Sequence, residues 1–160
     1  MVLLQACKSD EVQQPCLLQD VQSPVNFVCP FNGDLDTMRQ LIQGSWSWLQ
    51  EERRQRGKPI EYLNPKNQGY SKVLILDSEE AKFYKCDQLV DTYKYSVLLL
   101  GEISGTDFPE DQNPVIVYYN AITGSRINYV PLVICSDSLA FQHQFVSSVI
   151  GEEIWKKFKK

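Results

Sequence analysis

The sequence predicts an all-β fold, an eight-stranded up-and-down antiparallel β-barrel with a short N-terminal helix. Three observations predict it. From Gly44 onward, short runs rich in Val, Ile, Tyr, Phe and Trp are broken by Gly, Asn, Asp and Ser at intervals of roughly 8–14 residues. Within the runs, apolar and polar residues alternate with the period of a strand that is wet on one side only. Most connections are of hairpin length, so neighbours in sequence are neighbours in the sheet. Eight such strands joined in order most economically close on themselves, which removes both edges. The interior of an eight-stranded barrel is just wide enough to be filled by side chains or to hold one small molecule.

Along the chain, residues 1–34 form a leader and residues 35–160 the barrel domain. The leader is unlike the rest in charge. Residues 1–43 carry two basic and five acidic residues, against fourteen and fifteen in residues 44–160, so most of the net charge of −4 sits in the first part. It holds two of the eighteen aromatics, Phe27 and Phe31, and cannot build a core alone. Near its start, Leu4-Gln5-Ala6-Cys7 has the form of a bacterial lipobox, with an aliphatic residue at −3, a small residue at −1 and then the cysteine. It resembles the site at which signal peptidase cleaves before a cysteine that then carries lipid, with acyl chains holding the protein by buried CH₂ area. The stretch before Cys7 is short and lacks a basic n-region, so the signal reads as truncated. Lys8-Ser9-Asp10-Glu11 then reads as a polar acidic tether, similar to the export signals of surface lipoproteins in Bacteroidota.

With Cys7 assigned to the anchor, Cys16, Cys29, Cys86 and Cys135 remain, an even number suited to an oxidising compartment. They allow three pairings. A bridge between Cys16 and Cys29 would staple the leader into a loop, while Cys86 and Cys135, both in strand-like runs, form either a second bridge or buried free thiols.

After the leader, Asp34-Leu35-Asp36-Thr37 leads into Met38, Leu41 and Ile42 at helical spacing with an acidic N-terminus, which predicts one short helix capping an end of the barrel. Strands are expected near 45–54, 71–77, 81–87, 90–103, 114–120, 125–135, 138–147 and 151–159. Turns fall at Ser78-Glu79-Glu80, Asp87-Gln88, Ala121-Ile122-Thr123-Gly124 and Ser136-Asp137. Trp46 and Trp48 share a face opposite Ser45 and Ser47; Tyr93, Tyr95 and Val97 share one opposite Thr92, Lys94 and Ser96. Leu139, Phe141, His143 and Phe145 continue the same period. The segments 55–70 and 101–114 are left as the long loops.

A short helix, then Gly44-Ser45-Trp46 at the first strand, then seven more strands resembles the lipocalins and the wider calycin group, in which the G-x-W tryptophan closes the barrel floor. The pattern Trp46-x-Trp48, Asn67-Gln68-Gly69-Tyr70-Ser71 before an apolar strand, Tyr84-Lys85-Cys86 before a turn, and Ile134-Cys135-Ser136-Asp137-Ser138-Leu139 is similar to lipocalin-like lipoproteins of Bacteroidota. The chain departs from lipocalins where they usually pair that tryptophan with an arginine of the last strand: residues 156–160 read Lys-Lys-Phe-Lys-Lys, so a lysine stem is expected to cover the indole.

Composition narrows the function classes. The excess of acidic over basic residues argues against a nucleic-acid binder that coats phosphates. No apolar run approaches the ~18 residues of a membrane-spanning helix, so the expected membrane contact is through the lipid anchor only. The single histidine has no partner at metal-ligand spacing and no Gly-rich phosphate loop is present, so neither metal nor cofactor is expected. The resemblance implies a non-catalytic envelope lipoprotein of the outer membrane that binds a small apolar ligand or serves as a scaffold. The candidates for lining its cavity are Trp46, Trp48, Tyr93, Tyr95, Phe141, His143 and Phe145. The alternative expectation is an accessory or inhibitory protein that meets another envelope protein through loops 55–70 and 101–114.

Overall fold

The computed structural model describes residues 16, 24, 25, 27, 29, 34–105, 112–146 and 149–157, with the side chains of 143–146 and 149–150 excepted. Cys7 lies outside the described residues. A short helix, α1 (Leu35–Leu41), precedes β1 (Gly44–Gln55), β2 (Glu61–Leu63), the one-turn helix α2 (Pro65–Gln68), β3 (Lys72–Leu76), β4 (Glu80–Lys85) and β5 (Gln88–Leu99). Then come α3 (Leu100–Ser104), β6 (Pro114–Asn120), β7 (Arg126–Ile134), β8 (Ser138–Val146) and β9 (Val149–Lys157).

Every pairing is antiparallel between neighbours, and β1 also pairs with β9, which closes the sheet into a barrel. The nine strand segments make eight walls, because β2 and β3 share one edge of β1: Glu51 to Arg53 face Leu63 to Glu61, and Gly44 to Ser47 face Leu76 to Val73. They are two halves of one interrupted strand. Between them α2 loops out, with Asn64 and Asn67 forming a reciprocal capping box and Gly69 supplying the left-handed terminus at φ 69°. The expected loop 55–70 thus holds β2 and α2, and the expected strand 90–103 ends at Leu99, where the chain turns into α3. Glu102 fixes that change by accepting the Leu99 N–H at 2.7 Å.

The barrel has two unlike ends. At the floor, Asp34 caps α1 by accepting the Thr37 N–H at 2.8 Å and the Thr37 hydroxyl at 2.9 Å. The helix then buries Met38 and Ile42 against the barrel core. Trp46 donates its indole N–H to the Ile42 carbonyl at 2.8 Å, and Lys157 of the last strand donates to the Leu41 carbonyl at 2.8 Å with its Nζ 5.1 Å from the Trp46 ring. A lysine stem therefore covers the indole, as expected. Gly44 has φ +137°, and a Cβ there would come within 2.7 Å of Lys157 Cε, so the glycine lets the lysine stem cross beneath the tryptophan. Trp46, Leu74, Leu76, Ile116, Leu139 and Trp155 fill the interior above. The mouth, at the other end, is bounded by residues 56–60, the α2 excursion, the Cys86-Asp87 turn and the turn at 121–125.

The leader is bonded to the barrel at both ends. Cys16 pairs with Cys86 in the mouth turn, and Cys29 pairs with Cys135 at the floor, with Cα separations of 4.8 and 6.0 Å. This corrects the expected bridge between Cys16 and Cys29. The two leader cysteines sit at opposite ends of the barrel wall, far beyond the ~7 Å that a disulfide can span between Cα atoms. Between them Val25 donates its backbone N–H to Gln50 Oε1 at 2.9 Å. Gln50, Ala140 and Ile154 form a row across β1, β9 and β8 that faces away from the core yet is buried.

Candidate functional site

The mouth site begins with an irregularity in β1. Trp48 pairs with Trp155 of β9, but the next pair is Gln50 with Ile154, so Leu49 is an extra residue and the facing of β1 changes after it. Before the bulge Trp46 and Trp48 point inward. After it Glu51 points inward and Gln50 outward, the reverse of what an unbroken period from Trp48 would give. Glu51 meets inward-facing Leu63 on one side and Glu153 on the other.

Two carboxylates are thus held in one interior, and Lys72, the first residue of β3, lies between them. Its Nζ donates to Glu153 Oε1 at 2.6 Å and Glu51 Oε2 at 3.3 Å, and stands 4.3 Å from the Trp48 ring centroid. Arg53 Nε donates to the other Glu51 oxygen at 2.6 Å. Burial alone would pull the Lys72 ammonium below its usual value, but the charge and hydrogen bond of Glu153 together with Glu51 outweigh it and hold the group above that value. Opposite this cluster, Phe83, Tyr93 and Tyr118 pack edge-on or tilted with centroids 5.8–5.9 Å apart. Burial, and then the negative charge of Glu153, push the Tyr118 phenol above its usual range.

A cleft of about 350 Å³ opens above these groups, lined by Tyr70, Lys72, Phe83, Lys85, Asp91 and Tyr93 among others. Tyr70 stacks on Trp48 with an interplanar angle of 14° and centroids 5.7 Å apart, and Lys85 Nζ sits 4.0 Å from the Tyr70 ring. The site therefore offers flat aromatic faces, two ammonium groups and a carboxylate at one opening. Its volume is in the range of small-molecule sites.

The expected cavity residues divide into several groups. Trp46, Trp48 and Phe141 do face the interior, but they are 0, 1 and 2% exposed, so they fill the lower barrel with no water-sized space beside them. Tyr93 lines the mouth cleft. Tyr95 lies instead where β5 runs past the start of β4; its hydroxyl donates to the Asp77 carbonyl, and burial followed by the Asp77 charge raises its pKa to about 12. It faces a separate cleft of about 340 Å³ shared with Arg39 and Ile42 of the floor. The side chains of His143 and Phe145 lie outside the described ones, and the backbone register slips between Gln144 and Val146, so the period of two does not run on through residue 145. Of Trp48 and Trp155, neighbours in register, neither indole N–H finds an acceptor among the described residues.

Sequence reasoning missed Glu51, Lys72, Lys85 and Glu153. Lys72 was within reach, since it keeps the parity of the buried Leu74 and Leu76. Among the described residues, no group of three or more His, Cys, Asp or Glu is placed to hold a metal ion. Compared with family models, with curated proteins and with solved structures, the chain matches none.

Proposed function

We propose that this protein is a non-catalytic barrel that holds a small aromatic molecule with a polar or anionic substituent at its mouth. The observation that carries the reading is the mouth cleft itself, aromatic on Tyr70, Phe83 and Tyr93 and cationic at Lys85, above an interior already filled by Trp46, Trp48 and Phe141. A long apolar chain has no space below the cleft. A planar molecule could lie against the tyrosines, where aromatic contact and a neighbouring ammonium each favour it. The polar groups deeper in the mouth are engaged with one another, Lys72 with two carboxylates and Arg53 with Glu51, which favours binding over proton transfer. We further propose that the barrel stands on the bacterial envelope, lipid-anchored at Cys7; the two disulfides favour an oxidising compartment.

The test uses anilinonaphthalene sulfonate as an aromatic anion and palmitate as a long apolar chain. Saturable binding of the sulfonate is expected, with quenching of tryptophan emission because Trp48 stacks on Tyr70. Tyr93→Ala and Lys85→Ala should each weaken it by about tenfold, and excess palmitate should leave it in place. Equal binding by both variants and the parent, or displacement by palmitate, would sink the reading.

A further inference from the structure

The rim around the cleft carries a second property. Ile60, Leu89, Val90, Ile122 and Ile127 are exposed, Ile122 at 95%, and all belong to the mouth connections or the strand residues beside them. A single exposed aliphatic residue is ordinary, but here the described exposed large hydrophobics gather at one end, with Tyr129 further along β7. Val90 and Ile127 are there for a structural reason. Each is the extra residue of a bulge, the first between the pairs Phe83–Asp91 and Tyr84–Leu89, the second between Tyr118–Asn128 and Tyr119–Arg126.

The same end is basic. Arg56, Lys58, Lys66, Lys85 and Arg126 are exposed there, against Glu61, Asp87 and Asp91. Among the described residues the floor is the reverse, with Asp34, Asp36, Asp77, Glu79 and Glu102 exposed against Arg39 and Lys156. An end with protruding aliphatic tips and surplus positive charge, opposite an end with surplus negative charge, has the polarity to dock on an anionic lipid surface. The leader points the same way. Cys16 is bonded to Cys86 in the rim turn, and the chain from Cys7 to Cys16, nine residues on, spans at most about 30 Å when extended. An anchor at Cys7 would therefore hold the mouth, and not the floor, near the bilayer.

We propose that the mouth rim is a docking surface for an anionic bilayer, with Ile122, Leu89 and Val90 entering the headgroup region and Lys58, Lys66 and Arg126 meeting the headgroups. The cleft would then open at the membrane. This does not require the ligand reading to be correct, and the two fail separately.

The full chain carrying Cys7→Ser, which has no acyl attachment, is sedimented with vesicles of phosphatidylcholine alone or with one quarter phosphatidylglycerol. Binding is expected on the anionic vesicles and is expected to fall as salt is raised. Lys58→Ala and Arg126→Ala should each weaken it by about fivefold, Ile122→Asp by tenfold or more, and floor variant Lys156→Ala should leave it unchanged. All of these positions are exposed, and an unaltered near-ultraviolet circular dichroism spectrum checks that the fold persists. Equal binding to both vesicle types, no binding, or indifference to Ile122→Asp overturns the proposal. So does a doubling of solution mass that Ile122→Asp abolishes, which would assign the rim to a second copy of the chain. The sulfonate titration on Ile122→Asp reports on the ligand site independently.

Discussion

Trp46 and Glu51 stand five positions apart on β1, yet one belongs to the dry floor of the barrel and the other to a mouth held by charge. In the floor half, stability comes from apolar area and close packing around Trp46, Leu74, Ile116 and Trp155. In the mouth half, Glu51 and Glu153 are kept tolerable by Lys72 and Arg53, an arrangement whose attraction largely offsets the cost of removing charge from water. The floor is therefore specified by shape and the mouth by pairing. The mouth brings aromatic faces, ammonium groups and a carboxylate to one opening, which is why the proposed binding site is placed there.

The two halves should respond differently to the same kinds of damage. The largest effect is expected from the bridges that tie the leader to each end. Cys29→Ser with Cys135→Ser opens a link across 106 positions and Cys16→Ser with Cys86→Ser one across 70, and each should cost about 4–5 kcal/mol in chain entropy by denaturant unfolding. Loss of the mouth bridge should also weaken sulfonate binding, since Cys16 Sγ accepts the Ser71 N–H at 3.0 Å beside Tyr70; loss of the floor bridge should not.

Next in size is Trp46→Ala, which empties the floor and should cost about 3–5 kcal/mol at any pH between 5 and 9. Lys72→Met should cost about 2–4 kcal/mol at neutral pH, since it removes the cation that Glu51 and Glu153 share inside the barrel and leaves Glu51 with Arg53. That loss depends on pH. Protonation removes the buried negative charge, so the variant should approach the parent as the solution is acidified toward the usual carboxylate value near 4.5. Adding Glu51→Gln and Glu153→Gln should restore much of the stability; no recovery would mean that the lysine stem, and not the charge pairing, holds the mouth.

In the parent protein alkaline titration provides a milder test. Lys72 and the Tyr95 and Tyr118 phenols all have pKa values raised above their reference values of 10.5 and 10.0. Above pH 10 the folded chain therefore retains protons that the unfolded chain releases, and stability should fall steadily with pH from there, through about 12 for Tyr95. The smallest effect is at the edge of the floor. Asp34→Ala removes the cap of α1 and should cost about 1 kcal/mol, with no change at the mouth.

Much of the floor was legible in the sequence. The helix from Asp34 and the inward parity of Trp46, Trp48, Tyr95 and Val97 come from spacing over uninterrupted stretches, while the lysine over the indole was expected from the resemblance. The mouth was not, because its bulges at Leu49, Val90 and Ile127 add single residues that reverse the facing of the strand beyond them. Gln50-Glu51-Glu52-Arg53-Arg54 reads as a solvated charged run, and no local signal in it says which carboxylate turns inward.

The sequence by itself determined that this chain makes an antiparallel barrel with Trp46 and Trp48 on one face, because strand period, turn chemistry and hairpin spacing are local properties that each segment carries with it. Tertiary structure alone decided that the leader cysteines bond to opposite ends of the barrel wall, that Lys72 reaches Glu51 and Glu153, and that the interior is filled below a shallow mouth. Those outcomes depend on which distant residues meet, and on single-residue shifts of register that become visible only once every strand has a neighbour to be measured against.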